Sequence, residues 1–483
     1  MQNQPSQRFH SLCGTLLCFL LLSVLNGCAP VGPEYAQPEP QVPDGWHSEL
    51  QSGLVLETAE SSHSNNWWTV FNDAQLEMLL YRAIQGNLDI KEAQARIQEA
   101  RALRGIARAD LFPLLDGVAT ATRSRTSENS GNATERNLFS AGFDADWELD
   151  IFGGARRSIE AAQADLEAAQ ADFNDLLVSL QAEVALNYAE VRTYQARLAV
   201  SQANITALSQ SYELNRSRYQ AGLISELPVQ ESLRLLESSR SQVPALEAGL
   251  EAAKNRLTVL LGRQPGQLQH ELAETNALPN LPVSVAVGIP AETLRRRPDV
   301  RRAERLLAAQ TARIGVATAD LYPRFFLSGS LGLEAINAGE LLEAASRRWN
   351  FGPEVKWNLF SAGAIRRNID VQNARQEQAL VQYERTVLQA LEEVENALVA
   401  YGKEQLRRES FFRATTVAER ANALAQDQYQ AGLVNFTTVL DAQRSLLSLR
   451  DELVSSDGAA FSQLVRLYKA LGGGWQSMLT SDL

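Results

Sequence analysis

Two hydrophobic patterns alternate along this chain, one with the period of a β-strand and the other with the period of a long helix. From Phe139 to Ile151 every odd position is apolar and every even position is polar or glycine, and residues 349–359 repeat that alternation. Weaker alternation precedes each run. Because successive side chains of a strand point to opposite faces, the pattern predicts two β-hairpins, 114–151 and 325–360, each with one apolar face.

Each hairpin is followed by a segment with the composition and period of a coiled coil. The first such segment has no proline or glycine after Gly154, and its apolar residues recur at every seventh position: Leu177, Val184, Val191, Leu198, Ile205, Tyr212 and Tyr219. This pattern predicts a left-handed coiled-coil helix over 154–219, of roughly 66 residues and about 100 Å. A matching helix is predicted over 364–429, where Gly402 is the one interruption.

Both long helices are expected to reverse through a short turn into a return helix. The predicted return helices cover 227–261 and 436–471. Pro244 lies inside the first of them and predicts a kink, because proline removes a helix hydrogen bond.

The hairpins and helices belong to a duplication with a constant offset of 210 residues. The residue pairs that show it are Ala109–Pro113 with Ala319–Pro323, Trp147 with Trp357, Tyr219–Leu223 with Tyr429–Leu433, and Leu261-Gly262 with Leu471-Gly472. This offset is far longer than the roughly 20–50 residues of solenoid repeats. The chain is therefore predicted to contain two equivalent halves, each with a first helix, a hairpin, a long helix and a return helix.

The halves are assigned to residues 67–262 and 298–472. Between them, the Pro-rich stretch 263–297 is expected to form a small mixed belt, and 473–483 is a C-terminal tail. The sequence before the first half divides into a targeting segment, 1–27, and a Pro-rich stretch, 28–66, which is expected to be an extended tether.

The targeting segment carries the signs of a lipoprotein signal. Arg8 precedes an apolar run, 12–25, that is shorter than the about 20 residues of a transmembrane helix. The run ends in Leu25-Asn26-Gly27-Cys28, which resembles the bacterial lipobox. With 1–27 removed, Cys28 would be the one cysteine of the mature chain and could form no internal disulfide. We therefore expect a diacylglycerol and an N-acyl lipid on Cys28; an ordinary secretory signal cleaved elsewhere is the alternative.

Charge and residue types argue against catalysis and nucleic-acid binding. The formal net charge is −12, and an acidic chain is a poor partner for nucleic acid. The histidines are isolated, and neither a phosphate-binding loop nor a nucleophile motif is present. We expect no enzyme activity, cofactor or metal site. The acids of one strand face suit a water-filled lumen better than the half-buried hairpin of a soluble sandwich: Asp144, Asp146, Glu148 and Asp150.

Four strands with an apolar face cannot close a membrane barrel, because barrels begin at about eight strands. An open edge in lipid would leave backbone groups unpaired at several kcal/mol each. The sequence thus predicts an obligate oligomer, and three copies would supply about twelve strands with pseudo-sixfold symmetry.

Several longer motifs resemble the TolC/OprM-like outer membrane factors of tripartite efflux systems, in the NodT-like lipoprotein branch. They are Cys28–Tyr35 (CAPVGPEY), Gly288–Pro290, Leu294–Val300 (LRRRPDV), Trp357–Phe360, Leu440–Gln443 and Tyr468–Trp475 (YKALGGGW). The resemblance implies an α+β membrane protein of the outer membrane. It implies a homotrimer with a 12-strand transmembrane β-barrel, a 12-helix periplasmic α-barrel of coiled coils and a mixed equatorial belt.

The same resemblance implies partners and a function. The protein would pass drugs or small solutes from an inner-membrane pump, of the RND type, through a periplasmic adaptor and across the outer membrane. Two alternatives stay open from the sequence: the outer membrane duct of a type I protein secretion system, and a lipid-anchored coiled-coil protein that forms no pore.

The resemblance also assigns a periplasmic gate. Asp441 matches the position of a constricting aspartate ring, and Tyr429 matches a tyrosine of the closed-state network. Pro228 and Thr438 depart from the family, which has aspartates there in some members, so a single ring is expected. Asp441 as an ordinary solvated acid is the alternative.

The helical turns are the expected adaptor contacts. Their residues are Gly222, Leu223 and Ile224 in the first half and Gly432, Leu433 and Val434 in the second. The alternative is that these apolar residues pack within the chain.

Overall fold

A computed structural model describes residues 30–40, 42–56, 66–131, 134–274, 277–279 and 281–475. The predicted signal 1–27 and the predicted lipidation site Cys28 lie outside these residues, as does 476–483 of the tail. The described residues fall into two compact units: one consists of the described parts of 1–39, 96–170 and 302–384, and the other of the described parts of 40–95, 171–301 and 385–483.

The strands and helices are numbered along the chain. The strands are β1 Leu54–Leu56, β2 Leu114–Arg125, β3 Glu135–Leu149, β4 Val285–Val287, β5 Arg324–Ala335 and β6 Arg347–Lys356. The α-helices are α1 Ala74–Gly86, α2 Leu88–Ala109, α3 Gly154–Gln220, α4 Leu227–Arg240, α5 Val243–Leu260, α6 Pro290–Arg296, α7 Pro298–Ala319, α8 Ala364–Gln430 and α9 Phe436–Ala470. No helix among the described residues is long and apolar enough to cross a membrane.

The first unit contains a four-stranded sheet in the order β2-β3-β5-β6, with every neighbouring pair antiparallel. The register aligns Phe143 with Gly117 on one side and Leu331 on the other, and Asp144 with Asp116 and Ser330. Since directly opposed residues share a face, the register gathers the apolar side chains on one face and the polar ones on the other. Phe143, Leu331, Trp349 and Phe351 on the apolar face are each more than half exposed.

The duplication extends to individual contacts at the junctions of sheet and helices. Trp147 Nε1 donates to the Leu111 carbonyl at 2.9 Å, and Trp357 Nε1 donates to the Leu321 carbonyl at 3.1 Å. Each tryptophan therefore anchors the strand of its own half to the loop that ends the preceding helix.

The second unit contains most of the described belt. Here β1 pairs in parallel with β4, and a 3-10 turn, Trp67–Phe71, packs its rings on the last helix. Trp67 stacks on Tyr468 with centroids 5.5 Å apart, and Phe71 lies 4.3 Å from Phe461. These contacts fix the start of the first half on α9.

Equivalent carbonyls at the ends of the return helices are bound by different side chains. Asn87 Nδ2 donates to the Leu260 carbonyl, and Arg297 Nη1, 210 positions later, donates to the Ala470 carbonyl. Arg297 also contacts both oxygens of Asp299. This explains the arginine and aspartate of the LRRRPDV motif as a cap for α9, because a cation at a helix C-terminus satisfies free carbonyls.

The first return helix differs from the prediction of one kinked helix. It is divided into α4 and α5, with the interruption at Ser241 and Gln242. Pro244 consequently lies in the first turn of α5, where its missing N–H breaks no helix bond. The second long helix, in contrast, continues through Gly402 without a break.

The segment expected to be a free tether is bound to the fold at several of its described residues. In the first unit, the Val31 N–H donates to the Phe152 carbonyl, and the buried Arg157 donates to the carbonyls of Val31 and Gly32. A Cβ on Gly32 would lie 2.4 Å from Gly315 Cα, so only glycine allows this approach. The expectation of a tether is corrected for these residues, because backbone partners far along the chain bind them.

Candidate channel gate and pore-lining residues

Two turns of the same conformation end the long helices. Gly222 has φ +72° and Gly432 has φ +73°, and the N–H of the following leucine bonds back to the carbonyl of residue 218 or 428. This is the Schellman closure, in which glycine supplies the left-handed residue. It directs Leu223 and Leu433 outward, at 73% and 75% exposure. The expected adaptor-contact turns thus present one exposed leucine each, while Ile224 and Val434 are half-buried.

Near the turns, the two helical arms pack on one another through an apolar cluster. The cluster joins buried side chains of the first arm, α3 with α4, to those of the second arm, α8 with α9: Leu208, Leu235, Leu236, Ala425, Phe436, Val439 and Leu440. Since burial of apolar area holds them together, separating the arms has a free-energy cost that grows with the area exposed.

Tyr429 lies against this cluster. Its ring centre is 5.2 Å from that of Phe436 and 5.3 Å from the guanidinium carbon of Arg218. Its hydroxyl is buried and has no hydrogen-bond partner among the described residues. Pro228, near the start of α4, offers no side-chain acceptor. The structure therefore places Tyr429 at the contact of the two arms, held by ring packing and a cation–π contact with Arg218.

Asp441 lies on the first turns of α9, with its side chain 74% exposed. Arg444 Nη1 approaches its Oδ1 at 3.5 Å, an exposed pair one helical turn apart. Pairs of this kind contribute about 0–1 kcal/mol, so the carboxylate is free to face a neighbour or water. Thr438 is exposed one turn earlier.

Three further polar side chains near the turns have buried atoms without a hydrogen-bond partner among the described residues. They are Asn215, of which both amide atoms are unpaired, Asn422 and Gln443. Asn215 is 1% exposed and lies one heptad beyond Leu208. Asparagine in a coiled-coil seam lowers stability and fixes register. Sequence reasoning missed this residue, although its heptad position was readable.

Three of the four predicted lumen acids lie on the polar face of β3. Asp144 faces Asp116 and Ser330 across the sheet, and Asp146 accepts a hydrogen bond from the Ser328 hydroxyl. Glu148 accepts two hydrogen bonds from Arg324, at 2.6 and 2.8 Å. On this face Glu148 is salt-bridged, whereas Asp144 and Asp146 have no salt bridge among the described residues.

Asp150 has another role, which corrects its assignment to the strand face. It follows the end of β3, and its carboxylate accepts the backbone N–H groups of Ala155 and Arg156, both at 3.0 Å. The Arg156 side chain adds a bond at 3.1 Å. A carboxylate at a helix N-terminus satisfies free N–H groups and interacts well with the dipole. Asp150 therefore positions the start of α3.

A buried polar network fixes α3 at the level of the belt. Arg192 is fully buried, and its guanidinium donates to the Tyr188 hydroxyl, to the side-chain oxygens of Gln195 and Gln75, and to the Glu274 carbonyl. The Tyr188 hydroxyl donates to Asp73 at 2.6 Å. Burial, and then the bond to Asp73, raise the pKa of Tyr188 well above its usual value, so the hydroxyl stays protonated. No periodic pattern along the chain pointed to this arginine.

Glu395 on α8 holds the segment that leads into β1. Its carboxylate accepts the backbone N–H groups of His47 and Ser48 and the Ser48 hydroxyl. Burial acts to raise the pKa of Glu395, but the bonds from Ser48 and His47 outweigh it and leave the pKa below its usual value.

One known protein family matches both halves of this chain. The family model described as "Outer membrane efflux protein" matches residues 79–263 and 289–473, two segments that begin and end 210 residues apart.

The chain belongs to the outer membrane efflux protein family.

Individual relatives agree with this assignment and confirm the resemblance found in the motifs. Nodulation protein T of Rhizobium leguminosarum bv. trifolii is 32% identical over 465 residues, which cover 95% of this chain and 97% of the relative. Cation efflux system protein CusC of Escherichia coli O6:H1 is 31% identical over 465 residues, covering 95% and 99%. The solved outer-membrane channel OprN has a TM-score of 0.86 and 36% identity, over 92% of this chain and 99% of that one.

Family membership establishes what the chain does in outline. It is an outer membrane efflux channel, a passive conduit rather than an enzyme, and it works with a periplasmic adaptor and an inner-membrane pump. The match extends over both halves, so the duplication read from the sequence is a property of the family's fold.

Proposed function

We propose that this efflux protein is a lipid-anchored homotrimeric duct that passes small solutes from an RND-type pump and its adaptor across the outer membrane. The observation that carries the proposal is the four-stranded antiparallel sheet with one apolar, exposed face and one polar face. A sheet of this kind needs lipid on one side and water on the other.

The sheet edges support the trimer. β2 and β6 are the outer strands of the sheet and have no further strand partner among the described residues. In lipid such edges would leave backbone groups unpaired, and pairing β6 of one copy with β2 of the next satisfies both. Three copies then close a 12-strand barrel with the polar face inside, which agrees with the likeness to the OprN channel.

The packing of the N-terminal segment supports the anchor. Pro30 fits against Gly153, where a Cβ would lie 2.5 Å from Pro30 Cα, and Val31 and Gly32 are held by Arg157. Gly153 directly precedes α3, just beyond the end of β3. A lipid on Cys28, two residues before Pro30, would enter the membrane beside the sheet. Its acyl chains would strengthen the attachment of the protein to the membrane.

The tip of the helical arms supports a gate at Asp441. The carboxylate is exposed and weakly paired, and Tyr429 lies behind it where the two arms meet. Three such carboxylates at a narrow throat would repel one another and attract cations. Closure would then rest on the apolar cluster and on Arg218 and Tyr429, and adaptor binding to Leu223 and Leu433 would favour the open arrangement.

The relatives favour small solutes as the cargo. CusC is named as part of a cation efflux system, whereas type I protein secretion finds no support in the names of the relatives described above. The lumen face of β3 is acidic and polar, which suits hydrated cations and polar solutes.

The proposal is tested with full-length protein purified from outer membranes. Cross-linking should give a trimer, and planar bilayers should show conductance that rises in Asp441→Ala. Arg444→Ala is the matched control, because it removes the partner of Asp441 and keeps the carboxylate. A protein that remains monomeric and does not conduct, even as Asp441→Ala, would be a coiled-coil lipoprotein and not a duct. Cys28→Ser should abolish labelling with radioactive palmitate, and persistent labelling would contradict the anchor.

A further inference from the structure

One pair of equivalent positions in the two long helices, at the level of the belt, carries an arginine in one helix and a glycine in the other. Residue 192 of α3 corresponds to residue 402 of α8 through the offset of 210. Arg192 is fully buried and bound to four groups, one of them in α1 and one in the segment after α5. Gly402 has no side chain, and its carbonyl accepts only a long contact of 3.4 Å from the Ser52 hydroxyl among the side-chain bonds described.

The surroundings of α3 are tightly packed at this level. A Cβ on Gly458 of α9 would lie 2.0 Å from Thr193 Oγ1, and a Cβ on Gly249 of α5 would lie 2.5 Å from the Tyr194 ring. Both return helices thus approach α3 as closely as glycine permits. Together with Arg192, these contacts hold α3 rigidly.

At the same level α8 has open space on the side of Gly402, although its neighbours Leu398 and Tyr401 are buried. A Cβ on Gly402 would meet no atom within 4 Å. A cavity of about 330 Å³ lies beside it, lined by α8 residues 398–403 and by residues 47–51 of the N-terminal segment. Glycine in a helix interior lowers the cost of bending, because the residue has no side chain and a weak helix propensity.

The N-terminal segment crosses α8 at this point, and we call residues 46–52 the strap. Its N-terminal end is fixed by Trp46 Nε1, which donates to the Gly288 carbonyl at 2.7 Å. Its middle is bound by Glu395, and its end touches Gly402 through Ser52. The strap therefore holds α8 from just before the glycine up to the glycine itself.

Beyond Gly402, α8 and α9 are joined along their length. The contacts are Ser456 with Glu404, Arg408 with Asp457, Arg407 with Glu452, Thr415 with the Leu449 carbonyl, and Arg450 with Glu419. These bonds make the distal parts of the two helices one body. Its polar links to α3 include the half-exposed pair of Arg197 with Asp451.

We propose that Gly402 is a hinge at which the second arm bends while Arg192 keeps the first arm fixed, and that the strap sets the resting angle of the hinge. This inference rests on the proposed function only in that the second arm carries the gate residue Asp441. The strap restrains α8 on one side of the hinge, and the cavity gives the helix room to move. Bending would break the pair of Arg197 with Asp451 and the apolar cluster near the turns, and would leave the belt intact.

The hinge is tested by substitutions with opposite expected effects. Gly402→Ala fits into open space and stiffens the helix, so the open probability in planar bilayers should fall about fivefold, the factor that matches roughly 1 kcal/mol of helix propensity. Gly105→Ala is the matched control: Gly105 also lies inside a helix, α2, and a Cβ there also meets no atom within 4 Å. Both substitutions should raise the thermal midpoint, but only Gly402→Ala should reduce opening.

The strap is tested by Glu395→Gln and Ser48→Ala, which weaken its hold on α8 and should increase opening. All variants are measured as full-length trimers in the wild-type and the Asp441→Ala background. Equal conductance in Gly402→Ala and Gly105→Ala would contradict the hinge proposal. If Gly402→Ala failed to assemble, an unchanged open probability in Glu395→Gln would contradict it instead. Absence of any conductance in the Asp441→Ala background would instead contradict the proposed duct, so the two failures are distinguishable.

Discussion

Replacing Arg192 by methionine is expected to destabilise the belt strongly while leaving the sheet unaffected. Methionine keeps an unbranched apolar stem like that of arginine, but it donates no hydrogen bonds. The substitution would leave three acceptors without their donor: Gln195 Oε1, which is buried, and Gln75 Oε1 and the Glu274 carbonyl, which are partly buried. Tyr188 would keep its bond to Asp73.

The magnitude follows from these contacts. A buried acceptor left unpaired costs about 1–3 kcal/mol, and one that water can reach costs less, so the loss of these bonds should cost about 2–5 kcal/mol in total. Tyr188→Phe should cost about 1–3 kcal/mol, because Asp73 keeps its bonds to the backbone N–H groups of Gln75 and Leu76. The expected order of destabilisation is therefore Arg192→Met, then Tyr188→Phe.

The assay is guanidinium unfolding of the purified protein, followed by the helical circular dichroism signal. Arg413→Met is the matched control, since Arg413 lies on α8 in an exposed pair with Glu409 and its loss should be small. An unfolding midpoint of Arg192→Met equal to that of Arg413→Met would refute the reasoning, because it would show that the buried network contributes no more than a surface ion pair.

Two further predictions concern the strap and the turns. The lowered pKa of Glu395 means that its hold on the strap is present above the unfolded value of about 4.5 and is lost as pH falls through the lower folded pKa. The amide hydrogens of residues 46–52 should therefore exchange faster in acid, after correction for intrinsic rates. In Glu395→Gln the corrected exchange rate should not depend on pH. The same pH dependence in that variant would contradict the role of Glu395. At the second turn, Gly432→Ala should lower the stability by about 1–2 kcal/mol, because alanine is strained at the positive φ of this position. Gly432→Asn should lower it by less, which thermal midpoints would show. An equal loss of stability in the two variants would argue against backbone strain.

Much of the local structure was predictable from the chain, since it depends on periodicity. A period of two sorts strand residues onto two faces, and the observed register of β3 with β2 and β5 keeps those faces apart. The glycines at 222 and 432 follow from the need for a left-handed residue where a helix ends. The offset of 210 likewise appears in equivalent bonds, such as those of Trp147 and Trp357.

The chain alone could not show which contacts distant residues make. Asp150 looked like one more acid of the strand face, yet the end of β3 places it at the start of α3. The Pro-rich segment looked like a tether, yet Arg157 and Glu395 bind its backbone. A backbone donor or acceptor has no sequence signature, so such partners become visible only in three dimensions.

The order of residues alone specifies the two halves, the period of their strands and helices, and the family to which they belong. How the two halves differ in their contacts depends on the folded structure. Equivalent positions carry Arg192 and Gly402, and only the fold shows the first bound to four groups and the second beside a cavity. Burial and hydrogen bonding depend on what surrounds a residue, whereas periodicity depends only on its order in the chain.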